Sequence, residues 1–463
     1  MTTANALAIE QEVAVLPATA RVASTRRRWI FRALAVVLAL AVCEVQLQLA
    51  SLCIPSVNYA LLPAHLQARL DSEAPPMLIP DVVLGVRGNP EYPGHDSLGF
   101  RNAAVLEHPD VVAIGDSQTH STHEQSWPLL HERETGHATY NMGISGWGPA
   151  EYLMVLDAAL RKNPKVIVLG LYTGNDIADA YRSVVLRQAC YELEMSVYPE
   201  GIDAVEREDL WNAEIRSLLN DRIDGRERKK TGGIFSACRN VLSDHCKLYG
   251  LARAIKNSAS DHIQQLFGRG GESDRQWASS VKWSKRHPKT SVLELNHQRT
   301  ILTPAYRSAL IDMTDERIDA GLKLTFEAIS QISKRCKARN VELVVAIIPT
   351  KEWVYDAVIE TRREYPGMKQ LMAYESTALE SIASFLRGCD IEFVNVGNTL
   401  RDCVRSGQQP YPMTTDGHPN AVGNEAIAKA IAARTAPLLK HHELAYSNQP
   451  AHQASHLKAH RTP

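Results

Sequence analysis

"VVAIGDSQTH", Val111 to His120, decides how the chain folds. An apolar, β-branched run ends in Gly-Asp-Ser and turns polar. This is the pattern of a buried parallel strand running into the loop before a helix. Ser117 then has two readings. A serine between strand and helix is commonly a helix N-cap. Held at a strand end beside a base, it is a nucleophile. The rest of the chain has to supply that base.

The same rhythm recurs on either side. "ATYNMGISG" (138–146) is a weaker strand candidate, "PKVIVLGLYTGND" (164–176) the clearest, followed by "NVELVVAIIPT" (340–350) and "CDIEFVNVG" (389–397). Helical periodicity fills most of the gaps, in "GPAEYLMVLDAALRKN", "IDAGLKLTFEAISQISKRCKARN", "YESTALESIASFLRG" and "NAVGNEAIAKAIAARTAPLLK". Five strands alternating with helices predict an α/β domain over 111–440, a parallel sheet covered on both faces. Residues 181–300 break the rhythm with mixed charge, as in "GRERKKTGG", and are expected to form an inserted helical cap over the sheet edge. Residues 55–110 look like an irregular connector: "AHLQARLDSEAPP" reads as a short helix ended by proline, and "DSLGFRN" (96–102) as a turn. The polar tail, 441–463, reads as disordered.

Composition excludes several classes. Hydrophobic residues make up 44% and charged residues 22% of 463, and the formal net charge is −1. That supports a sizeable core and gives no electrostatic footprint for nucleic acid. No zinc-ligand spacing, GxGxxG or Walker A sequence occurs, so neither metal nor cofactor is expected.

The N-terminus is different. Residues 1–28 are small and polar, then basic: Arg26, Arg27, Arg28 and Arg32 precede "ALAVVLALAVC". That apolar run falls short of the roughly 20 residues a span needs. It extends to Ile54 through a half carrying Glu44, Gln46 and Gln48. An acidic group at bilayer centre costs roughly 2.5–3.5 kcal/mol, but Glu44 would lie in the outer third. Residues 29–54 therefore read as an uncleaved signal anchor. The arginines stay cytoplasmic, and everything beyond about residue 55 is exported from a single-pass inner-membrane anchor to the periplasm or cell exterior. A cleaved signal peptide is the rival reading. Lipoprotein processing is disfavoured, because Val42 and Leu52 precede Cys43 and Cys53. In an oxidising compartment Cys190, Cys238, Cys246, Cys336, Cys389 and Cys403 could form bridges; Cys238 with Cys246 and Cys389 with Cys403 are nearest in sequence, and isolated buried thiols are the alternative.

Ligands of an open parallel sheet bind at the carboxyl ends of its strands. Four stretches belong there: Gly115-Asp116-Ser117, the "NMGISGWGP" turn with Gly143 and Gly146, "TGND" with Asn175 and Asp176, and "TTDGHPN" with Asp416 and His418. His418 can activate Ser117, and Asp416 can fix the imidazole tautomer. The N–H groups of Ser117 and Gly146 and the Asn175 amide can form an oxyanion hole. Asp116 and Asp176 are expected to order their turns, and His120 and His123 to point along or away from the strand end. Trp147 could stack on a sugar or pack against the cap. Lys351 and Glu352, in "IPTKEWVY", could bind substrate at the site edge or form a surface ion pair.

"GDSQT", "NMGISG", "TGND" and "DGHPN", in this order, resemble the four blocks of the SGNH (GDSL-type) hydrolases. The resemblance implies a flavodoxin-like three-layer sandwich and a Ser-His-Asp esterase site, with Ser117 as nucleophile, Gly146 and Asn175 in the oxyanion hole, and Asp416 and His418 completing the triad. Two departures stand out: Gln118 replaces leucine, and the acid and base are spaced Asp-x-His rather than Asp-x-x-His. The anchor and "LGFRN" resemble membrane-anchored, exported members associated with O-acyl groups on surface polysaccharides. The expected function is thus a serine esterase removing O-acyl, chiefly acetyl, groups from a carbohydrate. Transfer of the acyl group onto a polysaccharide by the same triad, and a non-catalytic polysaccharide-binding or assembly protein, are the alternatives. A lipase or thioesterase is weaker, because residues 200–300 are strongly charged. No protein partner is indicated.

Overall fold

The computed structural model describes residues 18–54, 57, 61, 75–121, 125–202, 246–249, 251, 272–295 and 297–447. They fall into two compact units, one of residues 1–73 and 229–271, the other of 74–228 and 272–463. The expected helix at 64–70, His123, Cys238, most of the insertion and the last sixteen residues of the expected tail lie outside the described residues.

In the first unit, helix α1 (Ala18–Cys53) contains a stretch, Arg27–Cys53, long and apolar enough to cross a membrane. Its large side chains, among them Trp29, Leu34, Val37 and Leu38, are exposed. The acidic group in this helix is not bare: the Glu44 carboxylate accepts N–H bonds from Lys247 and Leu248 at 2.9 and 2.7 Å.

The second unit begins with a hairpin, β1 (Leu78–Asp81) and β2 (Gly85–Gly88). This corrects the reading of the connector as irregular. The strands are only four residues long, but Asp81 Oδ1 accepts the N–H groups of Val83 and Leu84 and so closes the turn. The alternating part follows as β3 (Val111–Gly115), α2 (Ser117–His120), α3 (Trp127–Thr135), β4 (Thr139–Asn141), α4 (Pro149–Leu160), β5 (Val166–Tyr172), α5 (Asp176–Tyr181) and α6 (Tyr191–Val197). The later part of the insertion holds α7 (Glu272–Ser284) and a hairpin of β6 (Ser291–Leu295) and β7 (Gln298–Leu302), and α8 (Pro304–Ile311) and α9 (Glu316–Ala338) follow. The chain ends in β8 (Glu342–Ile348), α10 (Lys351–Tyr355), α11 (Met368–Gly388), β9 (Glu392–Asn395), α12 (Gly397–Arg405) and α13 (Ala421–Ser447). To the helices expected in the cap the structure thus adds an antiparallel hairpin. Helix α13 runs seven residues past the expected start of the disordered tail, because "HHELAYS" continues its helix.

The five long-range strands form one parallel sheet in the order β4-β3-β5-β8-β9. In units of sheet strands this is 2-1-3-4-5, the flavodoxin-like order. Every residue of β3, β4 and β5 is buried, as it must be in a sheet covered on both faces. Helix α4 packs on α9, α3 packs on α13, and α9 and α13 both reach β8. Buried His131 ties the second pair together, its ring nitrogens 3.0 Å from Thr139 Oγ1 and 2.8 Å from Thr435 Oγ1. The strand order reverses beside β3, so the crevice for a ligand opens at the end that carries Ser117.

Helix α2 sits unusually close to the strand ends. A methyl group on Gly115 or Gly170 would come within 2.2 or 2.5 Å of Thr119 Oγ1, and one on Gly143 within 2.7 Å of the His120 nitrogen. Three glycines from three strand ends therefore make the nook in which Thr119 seats the helix. Among the described residues, Cys389 and Cys403, a candidate pair, are both free thiols, as is Cys246.

Gly143→Ala is expected to destabilise the domain by about 1–3 kcal/mol, since its methyl meets backbone. Gly388→Ala, at the end of α11 with open space around it, should be neutral or stabilising by up to about 1 kcal/mol. Chemical denaturation of the two variants checks both values.

Candidate active site

The opening ambiguity resolves at one residue's distance. Asp116, not Ser117, caps helix α2: its Oδ1 accepts the Gln118 N–H at 2.8 Å. The Ser117 hydroxyl lies 2.9 Å from Nε2 of His418, the expected base. The second Asp116 oxygen lies 3.3 Å from the same hydroxyl. Burial pushes the Asp116 carboxyl up to about 6, against its bond from Gln118 and the charge of His418.

His418 is held from behind. Its Nδ1 lies 2.6 Å from Asp416 Oδ1, and the same oxygen accepts the His418 backbone N–H at 3.0 Å. That double contact explains the Asp-x-His spacing: with one residue between them, the carboxylate closes an Asx turn over the histidine's own backbone. Partial burial acts to raise the Asp416 carboxyl, but the hydrogen bonds and charge of His418 outweigh it and hold the group well below the usual carboxylate range. Asp416 and His418 side chains are 33% and 29% exposed, so the dyad opens to solvent.

The expected oxyanion donors lie at the ends of the adjoining strands. Gly146, φ +89°, is in the left-handed region, at the turn after β4. Buried His120 braces this turn. Its Nδ1 is 3.0 Å from Ser145 Oγ and its Nε2 3.1 Å from His95 Nε2, so it points away from Ser117. Burial depresses His120 to about 3, with His95 adding to the effect. Asn175, after β5, donates one amide hydrogen to Asp179 Oδ2 at 2.7 Å, which orients the side chain and leaves the second hydrogen for another acceptor. Asp176 orders the same turn, accepting the Tyr172 N–H at 2.9 Å and the Tyr152 hydroxyl at 3.0 Å.

Two expectations are corrected. Trp147 is 1% exposed, donates its indole N–H to Val86 O at 2.8 Å and meets Phe100 edge to face. It packs under the β1–β2 hairpin and offers no open face for stacking. Lys351 and Glu352 form no surface ion pair at the site edge. Both are buried: Lys351 Nζ donates to three backbone carbonyls, and Glu352 Oε1 accepts the N–H and hydroxyl of Thr303. The helix they begin packs inward, which a five-residue segment with little periodicity does not reveal.

Two features escape sequence reasoning. Arg307, on α8, donates to Gly174 O at 3.3 Å beside the Asn175 turn, its guanidinium over the rings of Tyr172 and Tyr306. A cavity of about 300 Å³ is lined by Ser279, Ser280 and Trp283 of α7 with Ile301, Thr414 and Thr415. It abuts the loop carrying Asp416. The α7 residues lie within the expected insertion and Arg307 just beyond it, where no strand–helix rhythm points to the site. Among the described residues no cluster of metal-ligating side chains occurs.

Residues 309–460 match the family described as the SGNH hydrolase-like domain of the acetyltransferase AlgX. No curated protein matches the chain. Solved structures similar to it include a GDSL-like lipase from Bacteroides thetaiotaomicron VPI-5482, at 11% identity over 70% of this chain and 85% of that one, TM-score 0.27. Another is a catalytic mutant of an acetylxylan esterase from Geobacillus stearothermophilus, at 9% identity over 70% and 93%, TM-score 0.30. The four ordered blocks and the 2-1-3-4-5 parallel sheet agree with this match, which makes residues 309–460 similar to an SGNH hydrolase-like domain.

Proposed function

We propose that the protein is a membrane-anchored, exported serine esterase acting on O-acyl groups of a carbohydrate. The observation that carries the chemistry is the unbroken line from Ser117 Oγ through His418 to Asp416, at 2.9 and 2.6 Å. Ser117 attacks the acyl carbon while His418 Nε2 takes its proton. The tetrahedral oxyanion is held by the N–H groups of Ser117 and Gly146 and the free amide hydrogen of Asn175. His418 then protonates the departing sugar oxygen, leaving an acyl-enzyme, and next takes a proton from the acceptor hydroxyl. Asp416, held ionised, steadies the imidazolium in each half.

Hydrolysis and transfer differ only in the acceptor. Water regenerates the acid, and a sugar hydroxyl gives a new ester. Transfer is favoured as a second reading by the match to an acetyltransferase's SGNH domain. For the anchor, the apolar Arg27–Cys53 stretch keeps its large apolar side chains exposed and follows a basic cluster, as suits a single span with its arginines in the cytoplasm.

Purified enzyme should release alcohol from an aryl acetate, and Ser117→Ala should lower the rate by at least about 10³-fold. Adding oligosaccharide separates the readings: acylated sugar appearing alongside faster release marks transfer, and unchanged release with no acylated sugar marks an esterase. Failure of wild type to turn over any acyl ester contradicts both. Trp283 is the aromatic wall of the cavity beside Asp416. Trp283→Ala is expected to raise KM for an acetylated oligosaccharide about tenfold, the equivalent of about 1.4 kcal/mol of stacking, and to leave KM for the aryl acetate unchanged.

A further inference from the structure

Lys351 has no part in the triad, yet it is built into the loop that carries it. It is the first residue of α10. The Thr350 hydroxyl caps that helix by accepting the Trp353 N–H, and Glu375 receives the N–H and hydroxyl of Thr350 at 2.7 and 2.5 Å. The start of the helix is therefore fixed. From it the Lys351 side chain, 1% exposed, donates to Ile301 O at 2.9 Å, Thr414 O at 3.0 Å and Asp416 O at 3.0 Å. All three ammonium hydrogens are taken, each by a backbone carbonyl. One carbonyl belongs to β7, one to the loop before the acid and one to the acid itself. Thr414 O also accepts the Ile301 N–H and the Thr300 hydroxyl, so β7, α10 and the Asp416 loop meet at one cation.

We infer that Lys351 is a positioning residue whose charged form clamps the Asp416–His418 loop against Ser117, so that loss of its proton slows the reaction. This rests on the esterase or transferase reading for its kinetic readout. The physical reason is a count of hydrogens. An ammonium has three, and a neutral amine has two. Deprotonation takes an ammonium hydrogen from one of the three carbonyls, two of which, Thr414 O and Asp416 O, belong to the loop carrying the acid and base, so the tie of that loop to α10 weakens. The groups facing the ammonium are Glu352 on its own helix, Arg307 on α8 and Asp416 on the loop. Burial lowers the ammonium to about 8, Arg307 acts in the same direction, and Glu352 and Asp416 oppose them. The change therefore falls within the range where the protein can be assayed.

The sign is definite. Below about pH 8 the clamp is whole; as pH rises through that value kcat falls, while KM for a small ester moves little because Lys351 touches no substrate. With 4-nitrophenyl acetate, wild-type kcat is expected to drop about fivefold or more between pH 7 and 9.5. Lys351→Arg, which keeps its charge, should show no such step below pH 10. Lys351→Met should show a low kcat without the step. The step persisting in either variant, or a wild-type kcat in Lys351→Met, overturns the proposal. An independent readout needs no turnover: the low-field proton resonance of the His418 Nδ1–H, identified by its absence in His418→Ala, should shift in the wild type with the same midpoint. A resonance unchanged from pH 7 to 10 contradicts the clamp. Absence of esterase activity with a shifting resonance contradicts the function and upholds the clamp.

Discussion

The hydrogen bond between His418 and Ser117 joins positions 301 residues apart and is the constraint around which the second unit is arranged. Each partner stands on a short, over-determined loop. Ser117 is placed by the Asp116 cap and by a helix lowered into a three-glycine nook. His418 is placed by a carboxylate that grips both its ring and its backbone. The parallel sheet supplies what neither loop has, a rigid common edge. Its central strands, buried along their whole length in β3 and β5, hold the Ser117 loop in place, and side-chain geometry within a fraction of an ångström is what proton transfer requires.

Polar groups behind this edge are costly to bury, and three carboxylates there have partners. Asp176 receives a backbone N–H and a tyrosine, Asp179 receives Asn175, and Glu352 receives Thr303. These carboxylates sit one layer behind the reacting atoms and orient the turns that bear Asn175 and the strand ends. In the proposed mechanism they aim the oxyanion donors before substrate arrives, which is the form of preorganisation that lowers a barrier most.

Much of this was legible in the sequence. The five strands and the main helices follow from period and β-branching, Ser117 from its place at a strand end, and Asp416 and His418 from the motif before the last helix. Their meeting required only that the sheet be parallel. What was not legible depends on tertiary burial. Lys351 reads as a surface cation because lysine usually is one, and only the fold shows three carbonyls closing around it. Trp147, beside Gly146, reads equally as a stacking platform or as packing against the cap, and only the hairpin at 78–88 shows what covers it. Arg307 and Trp283 arrive from segments whose sequence carries no strand–helix rhythm, so nothing in the local pattern links them to the site.

The most direct test of the central claim is covalent. A serine-directed fluorophosphonate incubated with the full chain, followed by proteolysis and mass spectrometry, reports which hydroxyl is activated. The account predicts a single adduct on Ser117 that disappears in His418→Ala. Labelling of another serine, or equal labelling of Ser117 without His418, would contradict it.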